Sequence, residues 1–156
     1  MDSISETGMT IILAVLMVGL LVANVYFGKR KAEKAPLGKV VSVLSDIRHN
    51  QKIVQTFNFH WQTKRFKAGG WRRNSTKINF LPGELWISLE KMFDLIEDYN
   101  QRIDVAKKSK SDSYMAGIDV DRLKSPLDDV AEKLREWVQA NMSNPEYAPK
   151  RRGLLR

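Results

Sequence analysis

PGELWISLEKMFDLIEDYNQRIDVA, from Pro82 to Ala106, is the stretch on which the fold turns. Leu85, Leu89, Met92, Ile96, Tyr99, Ile103 and Ala106 recur at steps of three and four, the period of an α-helix and not of a strand. Trp86 and Phe93 widen the stripe into a face suited to packing against other helices. Pro82 opens the helix where its missing N–H costs nothing, and Glu84 sits in the first turn, where the helix dipole favours an acid. The pattern fades in Lys107-Lys108-Ser109-Lys110-Ser111, whose cations suit a helix C-terminus.

Upstream, Leu37, Val40, Val41, Leu44, Ile47, Val54, Phe57 and Trp61 keep the same steps, with Gln51 the exception. They predict a helix from about Gly38 to about Thr63, ended by Ala68-Gly69-Gly70. Phe57-Asn58-Phe59-His60-Trp61 also alternates with period two, so a short β-hairpin around 57–80 is the competing expectation. Trp71, Ile78 and Phe80 are expected to fold back onto the helices. Downstream, Ser125 as cap, Pro126 as first helical residue and Asp128 in the first turn start a helix. Its apolar face is Leu127, Val130, Leu134, Trp137, Val138 and Met142, preceded by a separate turn over Ile118 to Lys124. Asn144-Pro145 ends the run, and 146–156 reads as a loose basic tail. The expected class is all-α, with about three helices in a small antiparallel bundle.

A different logic governs the N-terminal side. Met9 to Phe27, MTIILAVLMVGLLVANVYF, carries no charge, and its polar members Thr10 and Asn24 lie near its ends. At ~1.5 Å per residue such a helix spans roughly the ~30 Å hydrocarbon core of a bilayer. Asp2 and Glu6 precede it where a secretory signal would place basic residues, and no small-x-small cleavage site follows it. An uncleaved anchor is therefore expected. The flank Gly28-Lys29-Arg30-Lys31-Ala32-Glu33-Lys34 is basic and the N-terminal side has no Lys or Arg. Cations stay on the cytoplasmic side, so the expected topology in a cell (inner) membrane is N-terminus out and helical domain in. The division is then 1–8 outside, 9–27 in the bilayer, 28–36 as basic linker, 37–142 as helical domain and 143–156 as flexible basic tail.

With no cysteine in the chain, disulfides and thiolate chemistry are excluded. The two histidines, His49 and His60, have no metal-ligand spacing beyond the weak pair of His49 with Asp46. Glu90, Asp94 and Asp98 form a row at helical spacing, the pattern of a solvated face rather than of an acid–base pair. Ala68-Gly69-Gly70-Trp71 lacks the Lys-Ser/Thr of a phosphate loop. Neither an enzyme nor a cofactor is expected.

The net charge of +8 is unevenly spread. From Trp61 to Phe80 there are six basic residues and no acid, and Leu81 to Asp104 carries six acids against Lys91 and Arg102. Cations alternate with aromatics between His60 and Arg73, so Lys64, Arg65, Lys67, Trp71, Arg72, Arg73 and Lys77 are the candidate binding residues. Lys150, Arg151 and Arg152 in the tail join them. The competing reading makes the rings core and pairs the cations with the acidic helix. The functional expectation is a non-catalytic, single-pass membrane protein whose cytoplasmic domain mediates interaction or assembly with a protein partner. The alternative is a tethered binder of anionic lipid headgroups, or less favourably of nucleic acid, through the basic-aromatic segment.

Overall fold

The computed structural model describes residues 35–149. Helices α1 (Pro36–Gln55), α2 (Gly69–Asn74), α3 (Gly83–Ser109), α4 (Asp112–Ala116) and α5 (Lys124–Asn141) follow one another. Single 3-10 turns lie at Ser75–Lys77 and Val120–Leu123. Among the described residues there is no strand, so the expected hairpin around 57–80 does not form. The expected membrane helix over 9–27, its basic flank and the cations Lys150, Arg151 and Arg152 lie outside the described residues. Among those described, no helix is long and apolar enough to cross a membrane.

The long helices bury most of the stripes that their sequences set out, although Val41 at 45% and Met142 at 61% exposure lie outside the core. On α3, Leu85, Leu89, Met92, Phe93, Ile96, Tyr99, Ile103 and Ala106 are all buried. Val40, Leu44, Ile47 and Val54 of α1 and Leu127, Val130, Leu134 and Val138 of α5 join them in the core, with Phe66, Ile78, Met115 and Leu123 from the shorter segments between. Helix α3 ends where its cations suggested. Lys110 turns left-handed at φ 48°, its N–H bonds the Lys107 carbonyl at 3.2 Å, and the Ser111 N–H bonds that of Ala106 at 3.1 Å. This is a Schellman closure with lysine where glycine is usual.

Two helix limits differ from expectation. Helix α1 stops at Gln55 rather than running to about Thr63. The Thr56 hydroxyl bonds the Lys52 carbonyl at 2.9 Å, and Phe57 leaves the helix to stack on Phe66, with ring centroids 6.0 Å apart and planes at 6°. Helix α5 starts at Lys124, directly after the 3-10 turn, and Ser125 does not cap it. Its hydroxyl instead lies 3.3 Å from the Asp129 carboxylate.

Gly69 and Gly70 open α2 instead of closing α1. The reason is a close crossing. A Cβ on Gly70 would lie 2.6 Å from the Ser42 carbonyl oxygen and 2.8 Å from Asp46 Oδ2, so only glycine lets α2 approach α1 there. Asp46 accepts a hydrogen bond from the Gly70 N–H, supplying from another helix the cap that α2 lacks in its own sequence.

Between α1 and α2 the chain returns as an extended arm, held by two fully buried asparagines, Asn50 at 0% and Asn100 at 1% exposure. Asn50 on α1 accepts from the Lys67 N–H at 2.6 Å and donates to the Lys67 carbonyl at 2.7 Å. Asn100 on α3 does the same to Phe66, accepting at 2.8 Å and donating at 3.1 Å. Each amide satisfies a buried backbone donor and acceptor, as a neighbouring strand would.

This arm sets the topology. The Gln51 amide near the end of α1 reaches Asp128 near the start of α5 at 2.6 Å, and Phe80, just before α3, packs on Trp137 near the end of α5. Asn50 and Asn100, both in the later part of their helices, meet the same point on the arm. Helices α1 and α3 therefore run in the same direction, with α5 antiparallel to both. The expected antiparallel bundle is corrected on this point: residues 56–82 carry the chain back so that α3 can start from the same end as α1.

Candidate functional site

The basic-aromatic segment lies on this arm and on α2. Its rings are largely committed to packing. Phe66 is buried, and Trp71 stacks on Phe93 with centroids 5.0 Å apart and planes at 4°. Trp86 also lies 6.0 Å from Trp71. Two cations are paired with the acidic helix α3. Arg72 grips Glu97 with Nε at 2.7 Å and Nη2 at 2.6 Å, and Arg65 Nη1 lies 3.2 Å from Asp104. These pairs are at the surface, where water and side-chain entropy offset most of the attraction, so they orient the arm more than they stabilise it.

Lys64, Lys67, Arg73 and Lys77 are exposed and make no ion pair with the described residues. Arg73 and Lys77 lie on α2 and the following 3-10 turn. Lys64 and Lys67 gather elsewhere, beside His49 of α1. Burial first, and then the ammonium of Lys67, hold the His49 imidazole below its ordinary value of 6.5; Asp46 opposes them, and Lys64 and Lys52 add to the lowering. Lys52, Lys64 and Lys67 are each close enough to disfavour protonation of the same imidazole, so cations from α1 and from the arm share one neighbourhood along the later part of α1. The backbone at Lys67 is held in place, because Asn50 bonds both its N–H and its carbonyl.

Lys52, Asn50, Asn100 and Asp46 were not among the expected site residues. Asn50 and Asn100 did leave a signal. Each lies beside an apolar stripe at helical spacing from it, three residues after Ile47 and four after Ile96, where a solvated polar residue would be out of place. Asp46 and Lys52 left none, since their roles depend on where the arm returns.

The other candidate chemistry is dispersed. The half-buried His60 faces the exposed Asp112 of α4 at 3.9 Å, while Glu97 is held by Arg72. The adjoining Trp61 N–H donates to the same Asp112 at 2.8 Å, so this contact rests the tip of the arm on α4. Among the described residues, no group of three or more His, Cys, Asp or Glu side chains is placed to hold a metal ion.

At the opposite end of α1 the start of the tail is docked. Tyr147 stacks on Phe80 at 5.2 Å and 25° and packs against Trp137 at 5.3 Å. Its carbonyl accepts from the Leu37 N–H at 3.2 Å. The portion of the expected loose tail up to Tyr147 is thus bound to the bundle. Comparisons of the chain with protein-family models, with curated proteins and with solved structures return no match.

Proposed function

We propose that this chain is a non-catalytic, membrane-anchored protein whose helical body serves as an interaction module for a protein partner at the cytoplasmic face. The anchor rests on the uncharged run Met9 to Phe27 and the basic flank Lys29 to Lys34. The observation that carries the interaction reading is the exposed Lys67, whose backbone Asn50 of α1 holds through both its N–H and its carbonyl, with the exposed Lys52 two residues along α1 from Asn50 and the exposed Lys64 three residues back along the arm. Exposed cations on a rigid frame suit an acidic partner surface, because little backbone order must be imposed on binding.

Crosslinking in intact membranes tests this reading. Native chain should give defined heterologous adducts, and charge reversal of Lys52, Lys64 and Lys67 to Glu should abolish them while the helical circular dichroism is retained. Unchanged adducts in the triple variant would refute the patch as the binding site. Recovery of the native chain only as an uncrosslinked monomer would refute the interaction reading itself.

The nucleic-acid alternative is less well supported. Its rings would have to stack on bases, and Phe66 and Trp71 are engaged within the protein.

A further inference from the structure

We infer that the exposed ring of Phe59, together with Lys52, Lys64 and Lys67, forms a docking surface for an acidic protein segment that carries an apolar side chain among its carboxylates. The inference deepens the partner reading above and rests on it, because it names the chemistry of the partner at the same end of α1.

Phe59 is the outer ring of a row that begins in the core. Tyr99 and Phe66 are buried and meet edge to face, with centroids 6.3 Å apart. Phe66 stacks on the half-buried Phe57, and Phe57 meets Phe59 edge-on at 5.1 Å and 74°. Phe59 itself is 46% exposed. A lone exposed ring is common on protein surfaces and needs no partner. Here the ring has fixed backbone around it and unbalanced charge beside it.

The fixed backbone is that of the arm's tip. Residues 57–68 contain no helix or strand, yet three hydrogen bonds pin the turn that follows Phe59. The Thr63 N–H bonds the His60 carbonyl at 2.8 Å, the Gln62 N–H bonds His60 Nδ1 at 3.2 Å, and the Trp61 N–H bonds the Asp112 carboxylate at 2.8 Å. Little further order must be imposed on the ring when a partner covers it.

The charge comes from both sides of the ring row. Phe57 stacks on Phe66, the residue before Lys67, and Asn50 ties the Lys67 backbone to α1 two residues before Lys52. Lys52, Lys64 and Lys67 are exposed and make no ion pair with the described residues. The acids that the arm and the end of α1 do meet are engaged by other groups. Asp104 pairs with Arg65, and Asp46 accepts from the Gly70 N–H. Asp112 accepts from the Trp61 N–H beside His60, and Asp128 accepts from the Gln51 amide. The countercharge for the three lysines is therefore left to a partner. Carboxylates on the lysines, with an apolar side chain between them on Phe59, would make a desolvated ring inside a charged rim.

The bilayer of the expected anchor is the less suitable occupant. Asn50 lies about 20 Å along α1 from Leu37, so this surface is at the end of the helix remote from residues 9–27.

The test places benzoylphenylalanine, a photoreactive analogue, at position 59 of the full chain and irradiates intact membranes. The expected product is a heterologous protein adduct whose crosslinked peptide carries several acids close to the new bond. It should be lost when Lys52, Lys64 and Lys67 are changed to Glu. Phe59→Ser, without the photoreactive group, should lower the yield of the lysine-dependent adducts about tenfold while the helical circular dichroism is retained. Adducts to lipid, to nucleic acid, to a second copy of the chain or to a peptide without acids would overturn the inference. So would adducts that persist in the triple variant, or full yield from Phe59→Ser. No adduct from position 59, with the lysine-dependent adducts of the native chain retained, would overturn this inference and leave the partner reading intact. Loss of both kinds of adduct would overturn the two together.

Discussion

Asn50 and Asn100 do at single positions what a neighbouring strand does along a whole segment. Replacing Asn100 by Ala leaves the Phe66 N–H and carbonyl buried without partners and opens a small void. The expected loss is about 2–4 kcal/mol in urea unfolding of the full chain in detergent. Lys110 gives the opposite sign. Its left-handed φ of 48° strains any residue with a Cβ, so Lys110→Gly should raise stability by about 0.5–1 kcal/mol in the same assay. His49 adds a pH dependence of definite direction. Its pKa in the folded chain lies below the ordinary 6.5, so between the two values the unfolded state binds more protons. Folding stability should therefore fall as pH drops through about 6.5 and level off below the folded-state pKa. Denaturation midpoints between pH 8 and 5 check this, and His49→Gln should remove that part of the slope.

At the scale of elements, the two glycines before Trp71 separate packing from local preference. Gly70→Ala forces a Cβ against the Ser42 carbonyl and should destabilise by about 1–3 kcal/mol. Gly69→Ala meets nothing nearer than Arg73 Nη1 at 3.5 Å and should be neutral or stabilising by up to about 1 kcal/mol. This contrast also explains what was legible in the sequence. The stripes of α3, α5 and the first part of α1 follow from period alone, because each helix declares its own buried face. The lysine-rich end of α3 was legible for the same local reason. The arm over 56–68 was not, since its order comes from Asn50, Asn100 and Asp46 on other elements. Gly69-Gly70 carries the composition of a helix stop, yet its small size serves a crossing that only the tertiary structure reveals. At the site, Arg65, Arg72 and Trp71 follow the competing internal reading, whereas the grouping of Lys64 and Lys67 with Lys52 required the return of the arm.

For the whole molecule, the direction of α1 matters most. It leads away from the attachment of the expected anchor and carries the patch of Lys52, Lys64 and Lys67 to its far end, while the docked Tyr147 brings the tail back to the near end. The proposed partner surface would then face away from the bilayer. That proposal depends on the N-terminal run being an anchor with the helical body inside. Impermeant maleimide labelling of intact cells tests that claim most directly, because the chain has no cysteine of its own. Ser3→Cys and the exposed Ser113→Cys are compared, with each variant followed in the membrane pellet. The account predicts that Ser3→Cys is modified in intact cells and Ser113→Cys only after permeabilisation. Labelling of Ser113→Cys from outside, or recovery of the chain in the soluble fraction, would contradict it.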